Sequence, residues 1–162
     1  MAPTRVRSGG VFGRVPAPML ARLEATFPRG GEWRYEPKFD GFRGLLWHAP
    51  GGTVHLLSRN LKDLGASFPE LVRAGHSLPS GTLVDGEIVI ADADGRSDFA
   101  ALQARLGVGK RYARHGASCK PAVLLAFDVI CYQGVDLTDM HLAERRPSWK
   151  RCSSPITPAC NS

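Results

Sequence analysis

The fold of this chain follows from residues 36–48, which read EPKFDGFRGLLWH, a polar turn that leads into an apolar run. Phe42 to His48 has the pattern of a strand, and we predict another strand from Trp33 to Lys38. Asp40-Gly41 between them is a dipeptide favoured in tight hairpin turns, because both positions tolerate positive φ. The stretch therefore predicts a β-hairpin with Lys38 at the end of its first strand.

Outward from this hairpin, the same periodicities predict further strands and helices. The predicted strands are 53–59, 82–91 and 122–132, and the predicted helices are 16–27, 67–74 and one capped by Ser97 or Asp98 and closed by Gly107. The basic stretch 108–120 predicts a loop. Strands and helices mix without strict βαβ alternation, so we expect an α+β fold with largely antiparallel sheets and flanking helices.

The composition predicts one domain between two irregular ends. The chain has 162 residues, of which 43% are hydrophobic, and this suits a single globular domain. Residues 1–15 are rich in Gly, Pro and Arg, and we expect a flexible basic segment there. Residues 147–162 are crowded with Pro, Ser, Thr and Cys, so we expect a disordered tail after a domain at 16–146.

The charge balance favours an anionic partner without establishing one. Lys and Arg number 21 against 15 Asp and Glu, which gives a net charge of +6. This excess suits nucleic acid or a nucleotide, although many basic proteins bind neither. The four cysteines lack C-x-x-C spacing, which argues against a zinc site. Because no run of about 18 apolar residues occurs, we expect no membrane span. We also expect a cytoplasmic protein and a monomer.

The opening stretch also contains a candidate nucleophile. A lysine amine attacks only when it is deprotonated, and burial or a nearby guanidinium lowers its pKa. Arg43 is close enough in sequence to Lys38 to do so, and an arginine can also bind phosphate. On this turn alone, a solvated lysine in an exposed hairpin remains the favoured interpretation.

Three later segments carry further candidates. Arg59 follows a predicted strand, where an edge arginine also has a purely structural explanation. Asp85 and Glu87 share one face of a strand about 7 Å apart, and burying two carboxylates is costly unless donors or a cation meet them. A bend at Gly86 with both acids in solvent is equally compatible. Phe127 lies in the most apolar run, where an aromatic side chain usually packs in the core.

Together these segments resemble a known family. Lys38, Asp40, Gly41 and Arg43 resemble the K-x-D-G-x-R signature of covalent nucleotidyltransferases: ATP-dependent DNA ligases, RNA ligases and mRNA capping enzymes. The S-R, D-G-E and F-D segments follow in family order with ligase-like spacing. Residues 134–146 resemble the ligase continuation more than that of capping enzymes, although His141 stands where proline is expected. Residues 16–146 therefore resemble the front part of a ligase adenylation domain, with its ATP-grasp-like fold.

The resemblance implies a mechanism and a pocket. Lys38 would attack the α-phosphate of ATP to form lysyl-AMP, and AMP would pass to a 5′-phosphate of nicked double-stranded DNA in repair or recombination. The nucleotide-binding residues would be Glu36, Lys38, Arg43, Arg59, Glu87 and Phe127, converging on one concave pocket between sheets. Phe127 would stack on adenine, and Glu87 would contact ribose and help to place Mg²⁺ or Mn²⁺, with Asp85 the less favoured metal ligand.

After Arg146 the sequence departs from the family pattern. The E-G glutamate, the K-x-K lysines and the OB-fold domain do not follow, and Pro147 interrupts an expected helix. Truncation or a shifted reading frame is the economical explanation, so we do not expect this chain to seal nicked DNA. Two alternatives stay open, namely a non-catalytic remnant that binds nucleotide or DNA, and an RNA ligase or capping-type nucleotidyltransferase.

Overall fold

The computed structural model describes residues 15–27, 29–31, 33, 35–107 and 110–145. Within these residues one sheet of five antiparallel strands has the order β2-β1-β3-β4-β5. The strands are β1 Phe42–His48, β2 Val54–Ser58, β3 Thr82–Val89, β4 Val123–Tyr132 and β5 Val135–Asp136, and the helices are α1 Pro69–Gly75, α2 Phe99–Ala104 and α3 Lys110–Cys119. The predicted α+β class with antiparallel pairing is confirmed. Of the predicted irregular ends, 1–15 and 147–162, only Val15 lies within the described residues, and it is buried rather than flexible because it packs in a hydrophobic cluster against the sheet.

The sheet has a different hydrophobic cluster on each face, because side chains alternate along a strand. The larger cluster packs the sheet against the helices and includes Leu46, Val84, Ile88, Leu124, Phe68, Leu71 and Leu102. The opposite face carries a smaller cluster of Val15, Leu45, Leu57 and Leu83. Arg43 pairs with Glu87, and Leu45 with Asp85, in the β1–β3 register. The polar candidates on β1 and β3 therefore share the face opposite the helices.

A buried ion pair ties the helices to the sheet. Arg105, just after α2, donates from Nη2 to both carboxylate oxygens of Glu70 in α1, at 2.8 and 3.0 Å. Glu70 is fully buried and also accepts from the backbone N–H of Ala122, immediately before β4, at 3.0 Å. Because a buried charge is tolerated only when it is paired and hydrogen-bonded, these contacts join α1, α2 and β4.

Two sequence predictions of helix and loop are wrong. Residues 16–27 form no helix, and Met19, Leu20, Leu23 and Phe27 are exposed. Their helical spacing produces no helix because, among the described residues, no core receives such a face. The stretch 108–120 is a helix rather than a loop from Lys110 onward. Among the side chains of this helix that the structure describes, the buried ones are Ala113 and Ala117, at a spacing of four.

The predicted hairpin at Asp40-Gly41 is also wrong. The described residues between 33 and 40 form no strand, and the chain enters β1 from a bend at Gly41. Gly41 does not have a positive φ. Instead, a Cβ at this position would collide with the carbonyl oxygen of Ile88 on β3. Glycine is needed here because the backbone of Gly41 approaches that of Ile88 closely.

Candidate active site

A cavity of about 650 Å³ lies on the face of the sheet opposite the helices. It is lined by Met19, Leu20, Ala21, Glu36, Pro37, Lys38, Phe39, Arg43, Glu87, Leu125, Ala126 and Phe127. A volume of this size is ordinary for a small-molecule site. The structure thus brings five of the six candidate nucleotide-binding residues together, beside one sheet rather than between sheets, while their roles in binding stay predictions.

Arg43 is held firmly at the base of this cavity. Its Nε and Nη2 donate to the two carboxylate oxygens of Asp85 at 2.9 and 2.6 Å, and its Nη1 donates to the carbonyl of Met19 at 2.5 Å. Such bidentate pairs fix the plane of a guanidinium as well as its position. The hydrogen bond to Asp85 raises the pKa of Arg43, against the opposing effect of burial. Arg43 is therefore an oriented cation.

Asp85 is engaged by Arg43. Its side chain is only 3% exposed, and both of its carboxylate oxygens accept from Arg43. Burial raises the pKa of Asp85, while the hydrogen bond to Arg43 acts in the opposite direction. Because both oxygens are engaged, we do not propose Asp85 as a metal ligand.

Glu87 lies on the same strand face, half-buried at the cavity. Burial raises the pKa of Glu87, and the charges of Arg43 and Lys38 oppose that rise. Its carboxylate is therefore partly buried and close enough to the charges of Arg43 and Lys38 to be affected by both. A carboxylate there can accept from hydroxyl groups or bind a cation.

Phe127 reaches the cavity because of an irregularity in β4. Gly86 on β3 pairs with Ala126, whereas Asp85 pairs with Asp128, so Phe127 is the extra residue of a β-bulge. Gly86 permits the bulge, since a Cβ there would come within 2.8 Å of the β4 backbone. The guanidinium of Arg43 lies 5.3 Å from the centre of the Phe127 ring, within cation–π range.

Lys38 and Arg59 differ from their predicted settings. Lys38 lines the cavity but is exposed, so burial of its amine, one of its two expected means of activation, is not observed. Arg59 is exposed in the turn after β2 and does not line the cavity. The reason is topological, because β2 lies at the edge of the sheet and the cavity lies beside β1, β3 and β4.

The described residues contain no group of three or more His, Cys, Asp or Glu side chains arranged to hold a metal ion. None of the helices in the described part of the chain is long and apolar enough to cross a membrane. Glu36 and Glu87 are the carboxylates that line the cavity among these residues, and Glu87 is the one that the sequence motif names as a metal ligand.

Two features of the site were missed by sequence reasoning. Met19, Leu20 and Ala21 line the cavity, and the Met19 carbonyl accepts from Arg43, where the sequence predicted a helix without a role in the site. Asp128, next to Phe127, forms a bidentate ion pair with Arg145. No sequence pattern indicates this wall. Arg145 lies in the ligase-like continuation, which is the one signal that it could pair with an acid.

The antiparallel sheet, with a lysine signature beside a cavity, is the arrangement of a nucleotidyltransferase-type domain. Residues 18–159 match the family described as the ATP dependent DNA ligase domain. The chain belongs to this family. The match extends into the stretch 147–162, which the sequence analysis set apart and the structure does not describe, so that boundary stays a prediction.

Several relatives agree with this assignment. DNA ligase C of Mycobacterium tuberculosis is 40% identical over 131 residues, which are 80% of this chain and 36% of that protein. The multifunctional non-homologous end joining protein LigD of Pseudomonas aeruginosa is 39% identical over 147 residues, which are 86% of this chain and 16% of that protein. The chain therefore spans about a third of DNA ligase C and less of LigD.

The fold has solved counterparts as well. The structure of mycobacterial DNA ligase D complexed with ATP and MES superposes with a TM-score of 0.58 at 26% identity. The superposition covers 72% of this chain and 35% of that one. The likeness confirms the fold class of the sheet that carries the site.

Proposed function

We propose that this chain is the adenylating part of an ATP-dependent DNA ligase, in which Lys38 becomes covalently attached to AMP. The observation that carries the proposal is the single cavity surrounded by Lys38, Arg43, Glu87 and Phe127 in a chain of the ligase family. A ligase with the same fold has been solved in complex with ATP, which supports ATP as the nucleotide.

The cavity offers each part of ATP a matching group. The Phe127 ring presents an apolar face for the base, because one of its faces already meets Arg43 and the ring lines the cavity. The carboxylate of Glu87 can accept from the ribose hydroxyls. Arg43 has five N–H groups, of which Asp85 and Met19 engage three. The others can donate to phosphate oxygens from an already oriented guanidinium.

The residues fit a divalent cation that is bound mainly by the nucleotide. Mg²⁺ usually keeps several waters and takes one or two carboxylates together with substrate phosphates. Glu87 would hold Mg²⁺ or Mn²⁺ in this way, and the cation would supply positive charge to the phosphates. Both carboxylate oxygens of Asp85 accept hydrogen bonds from Arg43, and this mode of binding the cation does not require Asp85 as a ligand.

The chemistry forms one bond and breaks one bond at each stage. The deprotonated amine of Lys38 attacks the α-phosphorus, the P–N bond forms, and the P–O bond to the β-phosphate breaks with release of pyrophosphate. A 5′-phosphate oxygen of nicked DNA then attacks the same phosphorus, and the P–N bond breaks as Lys38 regains a proton. Arg43 would stabilise the charge that develops on the phosphate oxygens.

The proposal is tested by labelling with ATP that carries a radioactive α-phosphate, followed by denaturing electrophoresis. We expect label on the natural chain, none from γ-labelled ATP, and none on Lys38→Arg. Lys62→Arg is the matched control, because Lys62 is exposed and lies outside the cavity. ATP binding without covalent label would favour the non-catalytic remnant. Stronger labelling by GTP than by ATP would favour a capping-type enzyme.

A further inference from the structure

A second bidentate ion pair, between Arg145 and Asp128, lies at the residue that follows Phe127 in β4. We infer that Arg145 is a positioning residue for base stacking, acting on Phe127 through Asp128. This inference rests on the proposed function, because it takes Phe127 as the surface on which the adenine stacks.

The pair has the geometry of a specific clamp. Arg145 donates from Nε and Nη2 to the two oxygens of Asp128 at 2.9 and 2.6 Å, and from Nη1 to the carbonyl of Met140 at 2.6 Å. Both side chains are largely buried, at 11% and 13% exposed. The hydrogen bond to Asp128 raises the pKa of Arg145. The segment after β5 is thereby fastened to β4.

The clamp acts at one of the two places where the register between β3 and β4 shifts. As the extra residue of the bulge, Phe127 has no register partner on β3. Asp128 is the next residue, and its Oδ1 also accepts from the backbone N–H of Val129 at 2.8 Å. Arg145 thus fixes the carboxylate that orders the backbone after the bulge. The direction of the Phe127 ring depends on that backbone.

A charge argument leads to the same residue. Asp85 and Asp128 are partners in the β3–β4 register, and the charge of Asp128 contributes to raising the pKa of Asp85. Each carboxylate is neutralised by its own arginine, Arg43 for Asp85 and Arg145 for Asp128. Without Arg145, the free Asp128 carboxylate would compete for Arg43, whose guanidinium packs on the Phe127 ring. The ring would then lose both of its supports.

The test is a double-mutant cycle on ATP affinity, measured by calorimetry, with Phe127→Ala and Arg145→Met. Phe127→Ala should weaken ATP binding by roughly 5- to 150-fold, the range of one lost base stack. Arg145→Met should weaken it by about 10-fold, and the two effects should not multiply, since residues that act through one another are not additive. Binding of inorganic tripolyphosphate, which has no base, should weaken less than binding of ATP in Arg145→Met.

Controls separate positioning from loss of fold. Arg96→Met, on an exposed turn, should leave ATP affinity unchanged. If Arg145→Met fails to fold, Arg145→Lys gives the same cycle, because lysine keeps the charge but cannot form the fork. Effects that multiply, or an equal loss of tripolyphosphate binding, would overturn the inference. An unchanged ATP affinity in Phe127→Ala would overturn both the stacking role of Phe127 and this inference. A loss of ATP affinity in Phe127→Ala without a loss in Arg145→Met would overturn the inference alone.

Discussion

Replacement of Asp85 by asparagine should unfasten Arg43 while preserving the shape of the side chain. Asparagine keeps one carbonyl oxygen as an acceptor, but its NH₂ group faces an arginine N–H that previously donated to a carboxylate. The 2.6 Å and 2.9 Å hydrogen bonds therefore cannot both survive. Because Asp85 is almost completely buried, water cannot easily replace the lost partner.

The expected loss of stability follows from these contacts. A hydrogen bond to a charged group contributes about 1.5–3 kcal/mol, and one such bond is lost outright. Arg43 is 20% exposed, so partial rehydration of the guanidinium limits the penalty below that of a fully buried pair. We expect the free energy of unfolding to fall by about 2 kcal/mol. For a chain of this size that lowers Tm by roughly 4–8 °C.

The assay is urea unfolding followed by circular dichroism, with the ATP affinity measured on the same samples. Asp85→Asn should lose both stability and ATP binding, since Arg43 and the Phe127 ring would no longer be oriented. Asp94→Asn is the matched control, because Asp94 is exposed in a turn outside the cavity. A loss below about 0.5 kcal/mol, no larger than an ordinary surface change, would refute the assignment of Asp85 as the group that fixes Arg43.

Two further predictions concern acidic side chains. Burial raises the folded-state pKa of Glu87. The contribution of this carboxyl group to stability is therefore present below its unfolded pKa of about 4.3, and it is lost as pH rises through the folded pKa. Glu87→Gln should therefore be more stable than the natural chain at pH 7, by roughly 0.5 kcal/mol. Urea titrations should show that this difference in the free energy of unfolding shrinks toward pH 4. A difference that does not depend on pH would contradict the raised pKa of Glu87. Glu70→Ala should leave the buried Arg105 without its carboxylate partner and lower the free energy of unfolding by about 3–5 kcal/mol in the same assay. A loss under about 1 kcal/mol would contradict the role of this pair in joining the helices to the sheet.

Local patterns predicted most of the regular elements. Strands β1 to β4 and helices α1 and α2 follow from apolar periodicity, and Asp98 caps α2 as expected by accepting from the N–H of Ala101 at 2.9 Å. Helix α3 escaped prediction because the buried side chains described in it are the alanines Ala113 and Ala117, which produce little apolar periodicity. Residues 16–27 had helical spacing, yet their conformation is decided by long-range contacts such as the Arg43 hydrogen bond to Met19. Periodicity carries no information about contacts of that kind.

The grouping of the site residues was predictable from the resemblance, whereas the ion pairs that hold them in place were not. The sequence motifs named Lys38, Arg43, Glu87 and Phe127, which the structure brings to one cavity. Arg59 was grouped with them, but it follows the edge strand β2 and is not among the residues that line the cavity. The Asp128–Arg145 pair joins residues 17 positions apart. No local rule predicts which acid a distant arginine will meet.

The most direct test of the central claim is to locate AMP on the chain by peptide mass spectrometry. The natural chain is incubated with ATP and Mg²⁺ and digested with trypsin at neutral pH, so that a phosphoramidate survives. Trypsin does not cut after a modified lysine, so attachment to Lys38 predicts an AMP-bearing peptide from Tyr35 to Arg43. AMP on any other residue, or a chain that stays unmodified while it binds ATP, would contradict the account.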